Sequence, residues 1–230
     1  MATGASINSR MLWPWILAFR DLGLDPKQEL ARVGLTEGQL RDPGERIPYD
    51  KTQALIAGLV ACSGRRDLGL LSARVVEAGH FELLELAARS ARTLGAAIEH
   101  IVRFFSLVDS GGELSLEPGD LRSRMSYQAI SGHPAHPAYI EYVPALLLLA
   151  ARRETGRADL CPLRVSFRHA GPEGMPAYGE LFGCQVRFNA PATVAVVDSD
   201  VLFWPMIRAN SRTHRSAISA ICDWFLQTGT

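Results

Sequence analysis

Two histidines, His133 and His136, lie in the run His133-Pro134-Ala135-His136-Pro137, an HxxH spacing that on a helix would turn both imidazoles to one face, as metal ligation requires. Each is followed by a proline, which biases the preceding residue away from the α region, and Glu141 is the nearby carboxylate. The default expectation is therefore a flexible loop, next a place at the mouth of a pocket, with a metal sensor or small-molecule enzyme as the alternative. Tyr139, Glu141 and Tyr142 come next, and aromatic bodies with polar tips suit a ligand pocket as well as a core edge. Cys62, Cys161, Cys184 and Cys222 include no CxxC pair, which predicts buried free thiols in a reducing compartment. Glu82 and Glu85 flank Leu83 and Leu84 and read as solvated helix charges. There is no GxSxG elbow, no GxxxxGK[ST] loop, no GxGxxG after a strand and no HExxH, so neither an enzyme nor a bound cofactor is expected.

A helix-turn-helix look-alike spans Glu29 to Thr36. Its small residue and turn glycine, Ala31 and Gly34, are three apart instead of the usual four, and Asp42-Pro43-Gly44 stops the second helix early. A packed helical corner is the expectation. Charge agrees: 24 Lys+Arg balance 24 Asp+Glu over 230 residues, whereas a self-sufficient nucleic-acid binder needs a basic excess to neutralise phosphates. With 47% hydrophobic residues the chain can bury a sizeable core. Its longest interior apolar run, Val143 to Ala151, falls far short of the roughly 20 residues of a membrane span. A cytoplasmic protein without a membrane partner is expected.

The elements that must hold these residues are helical at first. Met11 to Leu22, Asp25 to Val33, Thr36 to Leu40, Tyr49 to Ser63, Asp67 to Val76, Phe81 to Ala91 and a helix capped by Thr93 through Val108 follow from apolar periodicity, with Pro near starts and Gly past ends. From Gly111 the period changes. Leu114 and Leu116, then Leu121, Ser123, Met125 and Tyr127, alternate with polar residues as a hairpin whose Arg122 and Arg124 face water. A helix from about Ala138 to Glu154 follows, which Pro144 should kink or truly begin. Next come a strand at Leu163 to Phe167, a helix from Pro176 to Phe182, strands Gln185–Phe188 and Thr193–Val197, and a last helix from about Ser211 to Leu226. The fold class is α+β: a helical part, about 10–108, packed on a mixed part, about 111–206, with a mainly antiparallel sheet of about five strands flanked by helices.

Taken in order, several segments resemble a known family. They are Gly23-Leu24-Asp25-Pro26, Asp42-Pro43 with Arg46-Ile47-Pro48, Asp67-Leu68-Gly69-Leu70, Thr93-Leu94-Gly95-Ala96-Ala97, Val165-Ser166-Phe167-Arg168-His169 with Pro172, and Tyr178 with Leu181-Phe182-Gly183-Cys184-Gln185-Val186-Arg187-Phe188. Their order and spacing are similar to the N-terminal effector domain of a branch of AraC-type transcription regulators, from about Arg10 to Met206. The resemblance implies a domain that binds a small effector and biases a C-terminal domain of two helix-turn-helix motifs, through which alone promoter DNA would be bound. The sequence stops where that domain would begin, as an excised sensor or a naturally short member would. Two departures stand out: relatives often have Phe-Gly-Leu-Leu-Gly where this chain has Phe81-Glu82-Leu83-Leu84-Glu85, and Pro where Gln185 stands. The first puts charge near a region that could help form the pocket.

The resulting expectation is an effector-sensing domain over residues 1–206 and a connector or oligomerisation helix over 207–230, in a homodimer. The pocket is expected between the hairpin, the Tyr139 to Leu149 helix and the Leu163 to Phe167 strand. Phe104, Tyr127, Tyr139, Tyr142 and Phe167 would line it, with His133 and His136 at its mouth, around a largely apolar ligand. Ile218, Ile221, Cys222 and Phe225 form an apolar stripe that needs a cover, either as a connector or as a dimer seam. A regulator that acts through protein contacts without DNA is the remaining alternative.

Overall fold

A computed structural model describes residues 4–172 and 176–228, with side chains through residue 224. The chain opens with a short strand, β1 (Ser6–Asn8), and a helix, α1 (Ser9–Asp21), capped by the Asn8 side chain and running through Pro14. The suspected helix-turn-helix is two short helices, α2 (Lys27–Arg32) and α3 (Glu37–Arg41), which bury Leu30, Leu35 and Leu40 as a packed corner. Strand β2 (Arg46–Pro48) pairs antiparallel with β1, Ile47 opposite Ile7, both buried. Sequence reasoning found neither strand. Helix α4 (Tyr49–Ser63) ends at Gly64 in the left-handed region, where a residue without Cβ is at ease. Then come α5 (Leu68–Arg74), α6 (Glu82–Arg89) and α7 (Leu94–Phe104), the last capped by Thr93 as expected.

The second half is one sheet and the helices on it. Strands β3 (Gly112–Glu117) and β4 (Arg122–Ala129) form the hairpin, and helix α8 (Pro137–Thr155) follows. Leu121 departs from the expected alternation: it precedes the strand and is 82% exposed, because the Glu117–Asp120 turn ends one residue later. Pro144 does not begin α8, which runs through it from Pro137. Next are β5 (Arg164–Ser166), α9 (Pro176–Phe182), β6 (Val186–Arg187), β7 (Val194–Asp198) and the long helix α10 (Ser211–Thr228). The five strands lie in the order β3-β4-β7-β5-β6. All neighbours are antiparallel except β5 and β6, which α9 joins as a crossover, the connection that parallel strands need.

Alternation fixes which face is dry. Leu114, Tyr127, Val165 and Ala195 turn inward beneath α8, while Arg122, Arg124 and Arg164 stay exposed on the other face. Helix α8 is the axis of the molecule, its Tyr139, Tyr142, Val143 and Ala145 almost fully buried between the N-terminal helices and the sheet. The thiol expectation fails. Cys62 and Cys161 are exposed and Cys184 and Cys222 only half-buried, since α4 turns Cys62 outward in its last turn and Cys161 sits in the loop after α8. Among the described residues no helix is long and apolar enough to cross a membrane.

Candidate functional site

Three of the singled-out tyrosines and aspartate 109 form one buried cluster. Asp109 is fully buried; its carboxylate accepts hydrogen bonds from Tyr127 Oη at 2.8 Å, Tyr139 Oη at 3.2 Å and the Gly111 N–H at 2.9 Å. Burial pushes the Asp109 carboxyl above the usual range and those donors pull it back down. Tyr139 and Tyr142 pack on Trp15, with centroids 6.5 and 5.4 Å away. The glycines where β3 begins are required here: a Cβ on Gly111, just before the strand, would lie 2.1 Å from the Tyr49 ring, and one on Gly112, its first residue, 2.4 Å from the Tyr127 hydroxyl. His133 meets the edge of Tyr49 at 5.6 Å. His136 caps α8, its Nδ1 accepting the Ala138 N–H at 3.2 Å. Among the described residues no three or more His, Cys, Asp or Glu side chains are grouped to hold a metal ion.

Phe167 belongs to a second cluster, against Phe182 and Phe188. Beside it Glu141, 2% exposed, accepts a 2.9 Å hydrogen bond from Tyr178, and burial pushes its carboxyl up to about 8. His169 Nε2 lies 3.5 Å from Glu141 Oε1, but burial holds the imidazole below its usual value. At neutral pH the pair is therefore mostly a neutral acid beside a neutral base. Phe104 is buried at the end of α7 beneath the Arg103 guanidinium.

The space expected between hairpin, α8 and β5, lined by Tyr127 and Phe167, is about 10 Å³, roughly the room one water needs. A more open groove of about 360 Å³ lies on the outer face of the sheet at Arg122, Leu163, Arg164, Gln185, Arg187 and Val196. A roomier, apolar cavity adjoins the small space and shares Met125, Val143, Pro144, Leu147 and Ala195 with it. It measures about 150 Å³ and lies between α6, α7, α8 and the inner faces of β4 and β7. None of Phe104, Tyr127, His133, His136, Tyr139, Tyr142 and Phe167 lines it. Helix α6 contributes Phe81, Leu84, Glu85, Ala88 and Arg89, and α7 contributes Leu94, Ala97, Ile98, Ile101 and Phe105 from its face and the turn that follows. These spacings are single helical stripes, so their facing was visible in the sequence; the hollow was not. It exists because Ala88, Ala97, Ala150, Ala151 and Ala195, from four elements, converge where larger side chains would fill the space.

The charges on this wall are organised. Glu85 is not the solvated helix charge expected: its carboxylate accepts the Gly79 N–H at 2.7 Å and the Phe81 N–H at 3.2 Å, and pairs with Arg153 at 3.2 Å. Arg153 also holds Glu154 at 2.9 Å. Glu82, where α6 begins, has φ +41° and a 2.6 Å salt bridge to Arg10.

Helix α6 carries α10 on its other side. The Ala87 carbonyl accepts from His214 Nδ1 at 3.0 Å, which places the proton on Nδ1, and the Ser90 carbonyl accepts the Asn210 N–H at 3.0 Å. The His100 and His214 rings meet at 4.7 Å, and burial together with His214 keeps His100 below its usual value. Ile221 is 1% exposed and Ala217 2%, with Ile218 and Cys222 half-buried on the core. The cover that the stripe needs is thus within the chain. The Phe225 side chain lies outside the described residues.

Residues 23–206 match the family described as the arabinose-binding domain of AraC transcription regulators, N-terminal. The chain belongs to this family. Its relatives include the HTH-type transcriptional regulator VirS of Mycobacterium tuberculosis, 26% identical over 228 residues, which covers 98% of this chain and 67% of that protein. The ornithine utilization regulator of Pseudomonas aeruginosa is 27% identical over 177 residues, 76% of this chain and 51% of its own length. The transcriptional regulator CdpR of the same species shares the fold, with a TM-score of 0.56 at 18% identity over 85% of this chain and 60% of CdpR. The chain thus spans between half and two thirds of these regulators, and the domain it matches is the sensing part of AraC-type proteins.

Proposed function

We propose that the cavity between α6, α7 and α8 is the effector pocket of this AraC-type sensing domain, and that its occupancy is relayed through α6 to α10. The observation that carries the reading is the position of α6: one face walls an apolar cavity of about 150 Å³, and the opposite face holds α10 through Ala87, Ser90 and Ile221. A hollow of this size is lined by hydrocarbon and suits a compact, largely apolar molecule; an apolar cavity near 150 Å³ is large enough to take up benzene. The Asp109 cluster, none of whose tyrosines lines the hollow, then serves as scaffold.

A ligand shifts a regulator only by its differential affinity for two arrangements. Here the second arrangement is α10 released from, or reseated on, α6. Helix α10 would lead toward the helix-turn-helix domain that contacts promoter DNA in a full regulator, which acts as a homodimer. Hydrogen exchange with and without a saturating apolar ligand tests the relay. Slowed exchange in α6, accompanied by altered exchange in α10, is expected; a ligand that protects α6 and α7 while leaving α10 unchanged contradicts it.

A further inference from the structure

The charges on the cavity wall narrow the ligand class, on the reading that this cavity is the effector pocket. The wall carries Glu85, Arg89, Arg153 and Glu154. Three of these are spent on one another. Glu85 is held by Arg153 and by two backbone N–H groups, and Glu154 by Arg153, whose remaining contact is the Val76 carbonyl at 3.3 Å. Arg89 is different: it is half-buried on the last turn of α6, and its side chain makes no hydrogen bond or ion pair among the described residues.

We propose that Arg89 reads an anionic head group, so that the pocket takes a small apolar carboxylate, with its hydrocarbon body between Ala88, Ala97 and Ile101. A guanidinium offers a planar fork of donors matched to a carboxylate, and at the edge of an apolar hollow such a bond is little diluted by water. A cationic ligand would meet Arg89 with like charge, and the Glu85 and Glu154 carboxylates are already paired with Arg153. Arg89 lies in the same last turn of α6 as Ala87 and next to the capping Ser90, whose carbonyls on the opposite face hold His214 and Asn210, so the head group is read across the helix from its grip on α10.

The test uses phenylpropionate, phenylpropanol and phenylpropylamine, which share one body and differ in head-group charge, titrated calorimetrically into the purified chain. Phenylpropionate is expected to bind about tenfold more tightly than phenylpropanol, the scale of one hydrogen bond to a charged group, and phenylpropylamine more weakly than either. Arg89→Met keeps the apolar stem and should erase the carboxylate preference while phenylpropanol affinity stays within about twofold; Arg89→Lys should retain part of the preference. Equal binding of acid and alcohol by the wild type, or a preference that survives Arg89→Met, overturns the head-group assignment while the cavity reading stands. Failure of all three probes to bind overturns both.

Discussion

Glu82 is the residue whose backbone and sequence disagree. It opens α6 at φ +41°, in the left-handed region that disfavours a Cβ. Its compensation is a salt bridge to Arg10 made by a side chain 66% exposed, a kind of pair worth about 0–1 kcal/mol. Glu82→Gly should therefore stabilise the protein by about 1 kcal/mol in urea unfolding, and equal or lower stability would mean the ion pair outweighs the strain. Glu141 makes a pH prediction. Its carboxyl, ordinarily near 4.5, is raised to about 8 by burial, and it is faced by Tyr178 from α9, His169 from the loop after β5, and Asp67 and Arg66 from the start of α5. The native state thus holds this proton more tightly than the unfolded chain does. The group's contribution to stability is full below 4.5 and falls as pH rises through about 8. Glu141→Gln keeps an acceptor for Tyr178 and cannot ionise, so its stability relative to wild type should rise between about pH 6 and about pH 9; a constant difference across that range contradicts a buried neutral Glu141.

At the scale of elements, most of the chain was legible because its helices are punctuated. Tyr49–Ser63 and Pro176–Phe182 match their expected bounds, each opened at or beside a proline and closed by a glycine with positive φ. Strands β1 and β2 were not legible: with three residues each and one buried side chain apiece, they are too short for alternation to register. The α10 stripe was read correctly as apolar, but nothing local could say that α6 covers it, since that contact joins segments far apart in the chain. Ile221→Asp places a charge at a 1% exposed position and should cost α10 its seat, by about 3 kcal/mol of local stability. Trypsin should then cut at Arg212 and Arg215 markedly faster while α1–α9 remain folded and bind ligand; an unchanged cleavage rate would mean that α6 is not what holds α10.

The molecule as a whole shows why the cavity was invisible where the scaffold was not. The tyrosines were found because large aromatic residues announce themselves in sequence, and the structure gathers Tyr127, Tyr139 and Tyr142 around Asp109 and Trp15. A hollow is announced by nothing. It is the coincidence of alanines from α6, α7, α8 and β7 brought to one place by the fold. The sequence signals near it were the apolar stripes of α6 and α7, and Phe81, Leu84 and Glu85 of the segment Phe81-Glu82-Leu83-Leu84-Glu85 are on its wall. The central claim is that this hollow, on the α6 side of α8, receives the effector. Ala97 lies on its wall and Ala97→Phe would fill most of it, so the decisive measurement is calorimetric binding of phenylpropanol by the wild type and by Ala97→Phe, each first shown to be folded by circular dichroism. Saturable binding by the wild type that falls by at least about tenfold in the variant is the predicted result; equal binding by both proteins would place the ligand elsewhere and contradict the account.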